Sequence, residues 1–122
     1  MALVNDSTKN PNVDYDHPSY EIYEKVNKKP SDFFRNKDVS AQHGIITGET
    51  KLAKALYEQR LFELGDSETD HSSEVKTLEG NLKSALQRNG QQQGPAVVST
   101  FIGIFSMLLD RQLGKGPDKP AK

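Results

Sequence analysis

Apolar positions are sparse along this chain, and where they gather they recur mostly at helical spacing. Tyr20, Ile22, Tyr23 and Val26 form a partial stripe behind Pro18. They predict a first short helix over residues 18–29, with the proline suited to its opening turn. Leu52, Leu56 and Phe62 line one side of a second helix over 49–64, widened by Ala53, Tyr57, Leu61 and Leu64. Gly65 fits the position just past its end. Val75, Leu78, Leu82 and Ala85 step by three, four and three, with Leu86 broadening the seam, and predict a third helix over 73–89. Two heptads cannot sustain a free coiled coil, so this helix is expected to pack on the second as an antiparallel hairpin. Glu79 and Lys83 form a favourable i,i+4 pair on its exposed side.

One block departs from this sparse pattern. Residues 95–109, PAVVSTFIGIFSMLL, carry no charge at all. They predict an apolar segment over 95–114, in which a helix opened by Pro95 runs over 96–113 and closes at Gly114. Ala96, Ser99, Gly103 and Ser106 recur at i, i+3, i+7 and i+10 and give it a narrow face of small side chains. Phe101, Ile104, Phe105, Leu108 and Leu109 fill the opposite surface. A small-residue face lets another helix approach closely. Gly103 costs about 1 kcal/mol relative to alanine in a helix interior, and close packing is its expected compensation.

The remaining segments are polar. Residues 1–17 hold only Leu3, Val4, Val13 and Tyr15 as apolar points and read as an extended or disordered arm. Ser31 and Asp32 are placed to cap a turn carrying Phe33 and Phe34. Residues 39–48, VSAQHGIITG, contain the one β-like fragment, Ile45-Ile46-Thr47 between two glycines. Too short for a sheet, this stretch reads as a loop, with Thr47 or Gly48 capping the second helix. Residues 18–94 thus make a polar helical region, and 115–122 a basic flexible tail. The fold class is all-α: an extended N-terminal arm, then a small helical bundle or helical hairpin with a strongly apolar C-terminal helix.

Composition narrows the function. With 34% hydrophobic residues in 122 and a mean hydropathy of -0.73, the core is thin and one domain is the upper limit. Net charge is -1 and the pI about 6.3, which argues against nucleic acid as a partner. The aromatic cluster around Tyr15, Tyr20, Tyr23, Phe33 and Phe34 is read as packing rather than as a base-stacking platform. There is no cysteine, so disulfides and thiolate chemistry are excluded. No basic-then-apolar leader opens the chain, so cytoplasmic synthesis without a signal peptide is expected.

Catalytic patterns are missing from the sequence. His17, His43 and His71 lie in three separate polar segments, and neither an HExxH nor a Gly-x-Ser-x-Gly motif occurs. The glycines at 44 and 48 do not make a phosphate loop, because Gly48 is followed by Glu49 rather than by Lys-Ser/Thr. No cofactor, metal or enzymatic activity is expected. A span of 18 residues over 96–113 would have to bury Asp110 and Arg111, which disfavours a simple transmembrane anchor.

The sequence therefore points to a non-enzymatic structural or assembly protein. Its arm and last helix would hold it among other subunits or copies of itself, in a complex such as a virion or similar particle. The interaction residues expected are Ala96, Ser99, Phe101, Gly103, Phe105, Ser106 and Leu109 on the last helix, with Val75, Leu78 and Leu82 on the third. The alternatives are a small membrane-associated protein inserting residues 96–113, and a soluble inhibitor or adaptor of one protein partner.

Overall fold

The computed structural model describes residues 10–27 and 39–116. Those residues form four helices and no strand: α1, Pro18–Asn27; α2, Val39–Glu63; α3, Ser72–Arg88; and α4, Gly94–Gln112. The all-α expectation holds. Glycines with positive φ, Gly65 (85°), Gly90 (82°) and Gly114 (113°), stand just past three helix ends, and the first two mark chain reversals. At the first two the backbone closes a Schellman pattern. Gly65 N–H donates to the Phe62 carbonyl and Asp66 N–H to Leu61, and Gly90 and Gln91 repeat this onto Gln87 and Leu86.

The short turns set the topology. Gly48 lies against Leu82 and Gln59 reaches His71, so α2 and α3 run antiparallel as a hairpin. Gly94 returns onto Leu86, and Arg60 near the end of α2 meets Asp110 near the end of α4. So α4 runs back beside α3, parallel to α2. Helix α1 lies antiparallel to α2, with His17 against Glu58 and Tyr23 against Glu49. The core gathers Ile22, Tyr23 and Val26 from α1, Ile45, Leu52 and Ala53 from α2, and Leu82 and Leu86 from α3. Val98, Phe101, Phe105 and Leu109 of α4 complete it. Ring contacts run from Tyr15 through Tyr20 and Tyr23 to Phe101 and Phe105 at centroid separations of 4.9 to 6.1 Å, so this aromatic cluster is packing.

Helix α2 departs from the sequence reading. It begins at Val39, so 39–48 is helix rather than loop, and Thr47 and Gly48 lie inside α2 instead of capping it. Two glycines cost such a stretch about 2 kcal/mol in helix propensity. Burial offsets this: Ile45 is fully covered, and Gly48 lets Leu82 come so close that a Cβ there would lie 3.2 Å from its Cδ1. The Thr50 hydroxyl donates to the carbonyls of Ile46 and Thr47, tightening the same turn.

The N-terminal segment also differs from an extended arm. Residues 10–17 fold into turns against α2, with Asn10 and Val13 buried and the Asn10 amide donating to Thr47 Oγ1 at 2.8 Å. The expectations for residues 1–9, for the turn with Phe33 and Phe34, and for the tail past Gly116 lie outside the described residues.

Candidate functional site

Helix α4 has two faces of different character. Val98, Phe101, Phe105 and Leu109, together with Gly94, are buried against the other three helices. Ala96, Ser99, Thr100, Gly103 and Met107 are exposed on the opposite side, and Ser106 is half-buried beside them. Among the described residues, Met107 is the large apolar side chain most open to solvent, at 46% exposure. No charged residue occurs from Gly94 to Leu109, so the exposed face is uncharged until Arg111 in its last turn. At 19 residues α4 is about 28 Å long and, by length and composition alone, apolar enough to cross a membrane. Only 28% of its apolar window is buried, so the chain's own helices cover one side of it and no more.

The expected interaction residues therefore separate into two sets. Phe101, Phe105 and Leu109 on α4 and Leu82 on α3 are spent in this chain's own core, and Val75 and Leu78 are half-buried beside it. Ala96, Ser99 and Gly103 face solvent, and no atom lies within 4 Å of where a Cβ on Gly103 would stand. The close neighbour expected at Gly103 is not supplied by any of the described residues.

A second concentration of polar groups lies in the seam between residues 10–27 and α2. His17 precedes the first turn of α1, and its Nδ1 accepts the backbone N–H of Ser19 at 3.1 Å. With Nδ1 an acceptor, the neutral ring carries its proton on Nε2 and donates it to Glu58 Oε2 at 2.8 Å. The buried Ser19 hydroxyl lies 2.8 Å from the same Nδ1. Serine, imidazole and carboxylate thus stand in line, the order of an activated nucleophile. Yet the first-turn donors that would hold an oxyanion are engaged internally, Ser19 N–H by the ring and Tyr20 N–H by the His17 carbonyl. What the line does is cap α1 and tie it to α2. Asp14 adds an exposed contact with Lys54 at 3.4 Å.

Deeper in this seam, the Tyr23 hydroxyl donates to Glu49 Oε1 at 2.5 Å, and both side chains are buried. Burial pushes the Glu49 carboxyl up to about 7, against the opposing hydrogen bond from Tyr23. Burial and the neighbouring Glu49 likewise raise the Tyr23 phenol. At the far end of the bundle, Arg60 is 12% exposed and donates through Nη1 to Asp110 Oδ1 at 2.6 Å and to the Gly114 carbonyl at 2.8 Å. No group of three histidine or acidic side chains able to hold a metal ion occurs among the described residues.

The helical spacing of apolar residues did not reveal Glu49, Tyr23, His17, Glu58 or Arg60 as structural partners. One signal was present for Glu49: extending the second stripe backwards from Leu52 by three and seven residues lands on Glu49 and Ile45. A carboxylate at a core position of an otherwise regular stripe marks a buried polar contact. Comparison with protein-family models, with curated proteins and with solved structures finds no match to this chain.

Proposed function

We propose that this protein is a non-enzymatic assembly subunit that associates with further copies of itself through the outer face of α4. The observation that carries this reading is the exposed, uncharged face Ala96, Ser99, Gly103 and Met107, which the chain's own helices leave uncovered. Small side chains there let a second helix approach to the short end of the usual 8–10 Å interaxial range. These four positions carry no charge and so bring no like-charge repulsion where they meet an identical copy across a two-fold axis. Half-buried Val97, Ile104 and Leu108 flank the strip and widen the apolar area available.

The test is the native mass of the full chain by light scattering, with and without phospholipid vesicles. The wild type is expected at a multiple of 13.6 kDa. Gly103→Leu, which fills the open space at the centre of the face, is expected at the monomer mass with its helicity intact. A wild-type chain that stays monomeric at high concentration overturns the proposal. Co-flotation of such a monomer with vesicles would favour the membrane reading, which rests on the length and composition of α4. A monomer that ignores lipid would leave the adaptor reading.

A further inference from the structure

The seam between residues 10–27 and α2 is unusual in what holds it. Val13, Ile22 and Val26 supply apolar contact, but the crossing bonds are polar: Asn10 to Thr47, Asp14 to Lys54, His17 to Glu58 and Tyr23 to Glu49. Three of these four involve a carboxylate on one side. Two lie at the solvent edge or half-covered, whereas Glu49 is 1% exposed at the point where α1 crosses α2. We propose that residues 10–27 form a pH-gated clasp on α2, held shut while Glu49 is protonated and loosened when Glu49 ionises in its buried position against Tyr23.

Among the described residues, no compensating cation faces Glu49. From α1 it is faced by the Tyr23 hydroxyl, with the Tyr20 ring behind at 5.7 Å from Tyr23. From α4 the nearest ring is Phe101, packed on Tyr23, and no titratable side chain occurs on that helix before Asp110. From α3 the contact with this turn of α2 is Leu82 on Gly48, while Lys83 is bound to Glu79 at 2.8 Å. On α2 itself Lys51 and Lys54 are exposed, and Lys54 is engaged by Asp14. Burial therefore dominates and raises the carboxyl to about 7, with the Tyr23 hydrogen bond favouring the charged form.

The sign follows from linkage. With the clasp shut Glu49 holds its proton to about pH 7; with the clasp open and the carboxyl in water it releases it near its ordinary value of 4.5. Between those values each step in pH favours the open form, and above them the effect is constant. The links at the edge oppose it only weakly. The Lys54 hydrogen bond holds the Asp14 carboxyl below its usual range, so that contact stays ionised throughout the window. Opening lifts Tyr23 off Phe101 and bares the sides of α2 and α4 that α1 covers.

Hydrogen exchange of the full chain, read by mass spectrometry and corrected for the intrinsic pH dependence of exchange, tests this directly. The readout is protection of the α1 amides relative to those of α3 at pH 5 and pH 8. The wild type is expected to lose relative protection in α1 by about 10- to 100-fold over that interval, since an ionisation of this kind shifts the equilibrium by up to tenfold per pH unit. Glu49→Gln keeps an acceptor for Tyr23 without a charge, and its ratio is expected to be flat. Tyr23→Phe removes the donor that favours the anion, so its total loss over the interval is expected to exceed that of the wild type. His17→Asn, which keeps a capping side chain, is expected to retain the wild-type slope. A flat wild-type ratio, a slope that persists in Glu49→Gln, or a slope abolished by His17→Asn overturns the proposal.

Discussion

Replacing Gly94 by alanine is expected to destabilise the bundle, although alanine is the better helix former. Gly94 stands at the start of α4, where the turn from α3 folds the chain back over Leu86. A Cβ at this position would lie 2.5 Å from the Leu86 Cβ and 3.3 Å from its Cδ1. The first of these atoms belongs to the rigid base of a buried side chain, so relief requires a shift of backbone. That backbone is pinned: Gln91 N–H donates to the Leu86 carbonyl at 2.9 Å, Gly94 N–H to Gln91 at 2.9 Å, and Gly90 holds a φ of 82°. Pro95 adds a second obstacle, because a residue with a Cβ before proline is pushed out of the helical region. Overpacking and this restriction together cost about 2–3 kcal/mol. Restricting the unfolded chain returns up to about 1 kcal/mol.

The net loss, about 1–2 kcal/mol, corresponds to a fall in Tm of roughly 4–8 °C for a chain of this size. Gly80 and Gly103 serve as internal controls, since both lie inside helices with no atom within 4 Å of a Cβ position. Alanine at either is expected to raise stability by about 0.5–1 kcal/mol. Thermal unfolding followed by far-ultraviolet circular dichroism, at the lowest usable concentration so that association does not contribute, ranks the three variants. A Gly94→Ala chain as stable as Gly103→Ala would refute the close approach of α4 to Leu86.

Three further outcomes follow from the same geometry. Arg60→Met keeps an apolar stem but strips Asp110 and the Gly114 carbonyl of their shared donor; a loss of about 2–3 kcal/mol is expected from the urea midpoint, and a change under about 0.5 kcal/mol would mean the contact is idle. Phe105→Ala should cost about 3–5 kcal/mol and Ser99→Ala less than about 0.5 kcal/mol, and equal effects would show that the buried and outer faces of α4 have been confused. Global stability should fall between about pH 4.5 and 7 by up to about 3 kcal/mol through Glu49, because the folded chain retains a proton that the unfolded chain releases. Subtracting the Glu49→Gln profile isolates that component from Asp14 and Asp70, whose lowered carboxyls act in the opposite sense at acid pH.

How much of this was legible in the sequence depends on where side chains and backbone agree. Val75, Leu78, Leu82 and Leu86 keep an unbroken period, and Gly90 ends their helix as expected, so α3 was read to within a residue at each end. Helix α4 was equally plain because Pro95 and Gly114 bracket it. The first half of α2 was hidden by two features at once: two glycines and the β-branched Ile45-Ile46-Thr47. Each is a local argument against helix, and both are overridden by packing with distant residues, such as Leu82 on Gly48. The folded state of residues 10–17 rests on the same kind of contact, Asn10 with Thr47, which no spacing rule relates. On α4, the small-residue strip was legible, but its direction was not. Phe101 and Phe105 could serve a partner or this chain's own core with the same periodicity, and only packing decides that they turn inward.

That inward turn constrains how α4 can meet a membrane. Carrying α4 into a bilayer would remove Val98, Phe101, Phe105 and Leu109 from the bundle and leave Ile22, Tyr23, Val26, Leu52, Leu82 and Leu86 without their cover. Re-exposing large apolar side chains costs about 1.5–3 kcal/mol each, so uncovering several of them consumes the whole of a typical 5–15 kcal/mol stability. A folded chain therefore keeps α4 in place, and any apolar surface it meets, protein or lipid, is met by Ala96, Ser99, Gly103 and Met107 on the outer face. Lipid contact of that kind is interfacial, with the helix lying along the surface rather than through it. Between the two, the small side chains favour protein: they offer little area to insert among acyl chains, whereas their lack of bulk is what lets a neighbouring helix come close.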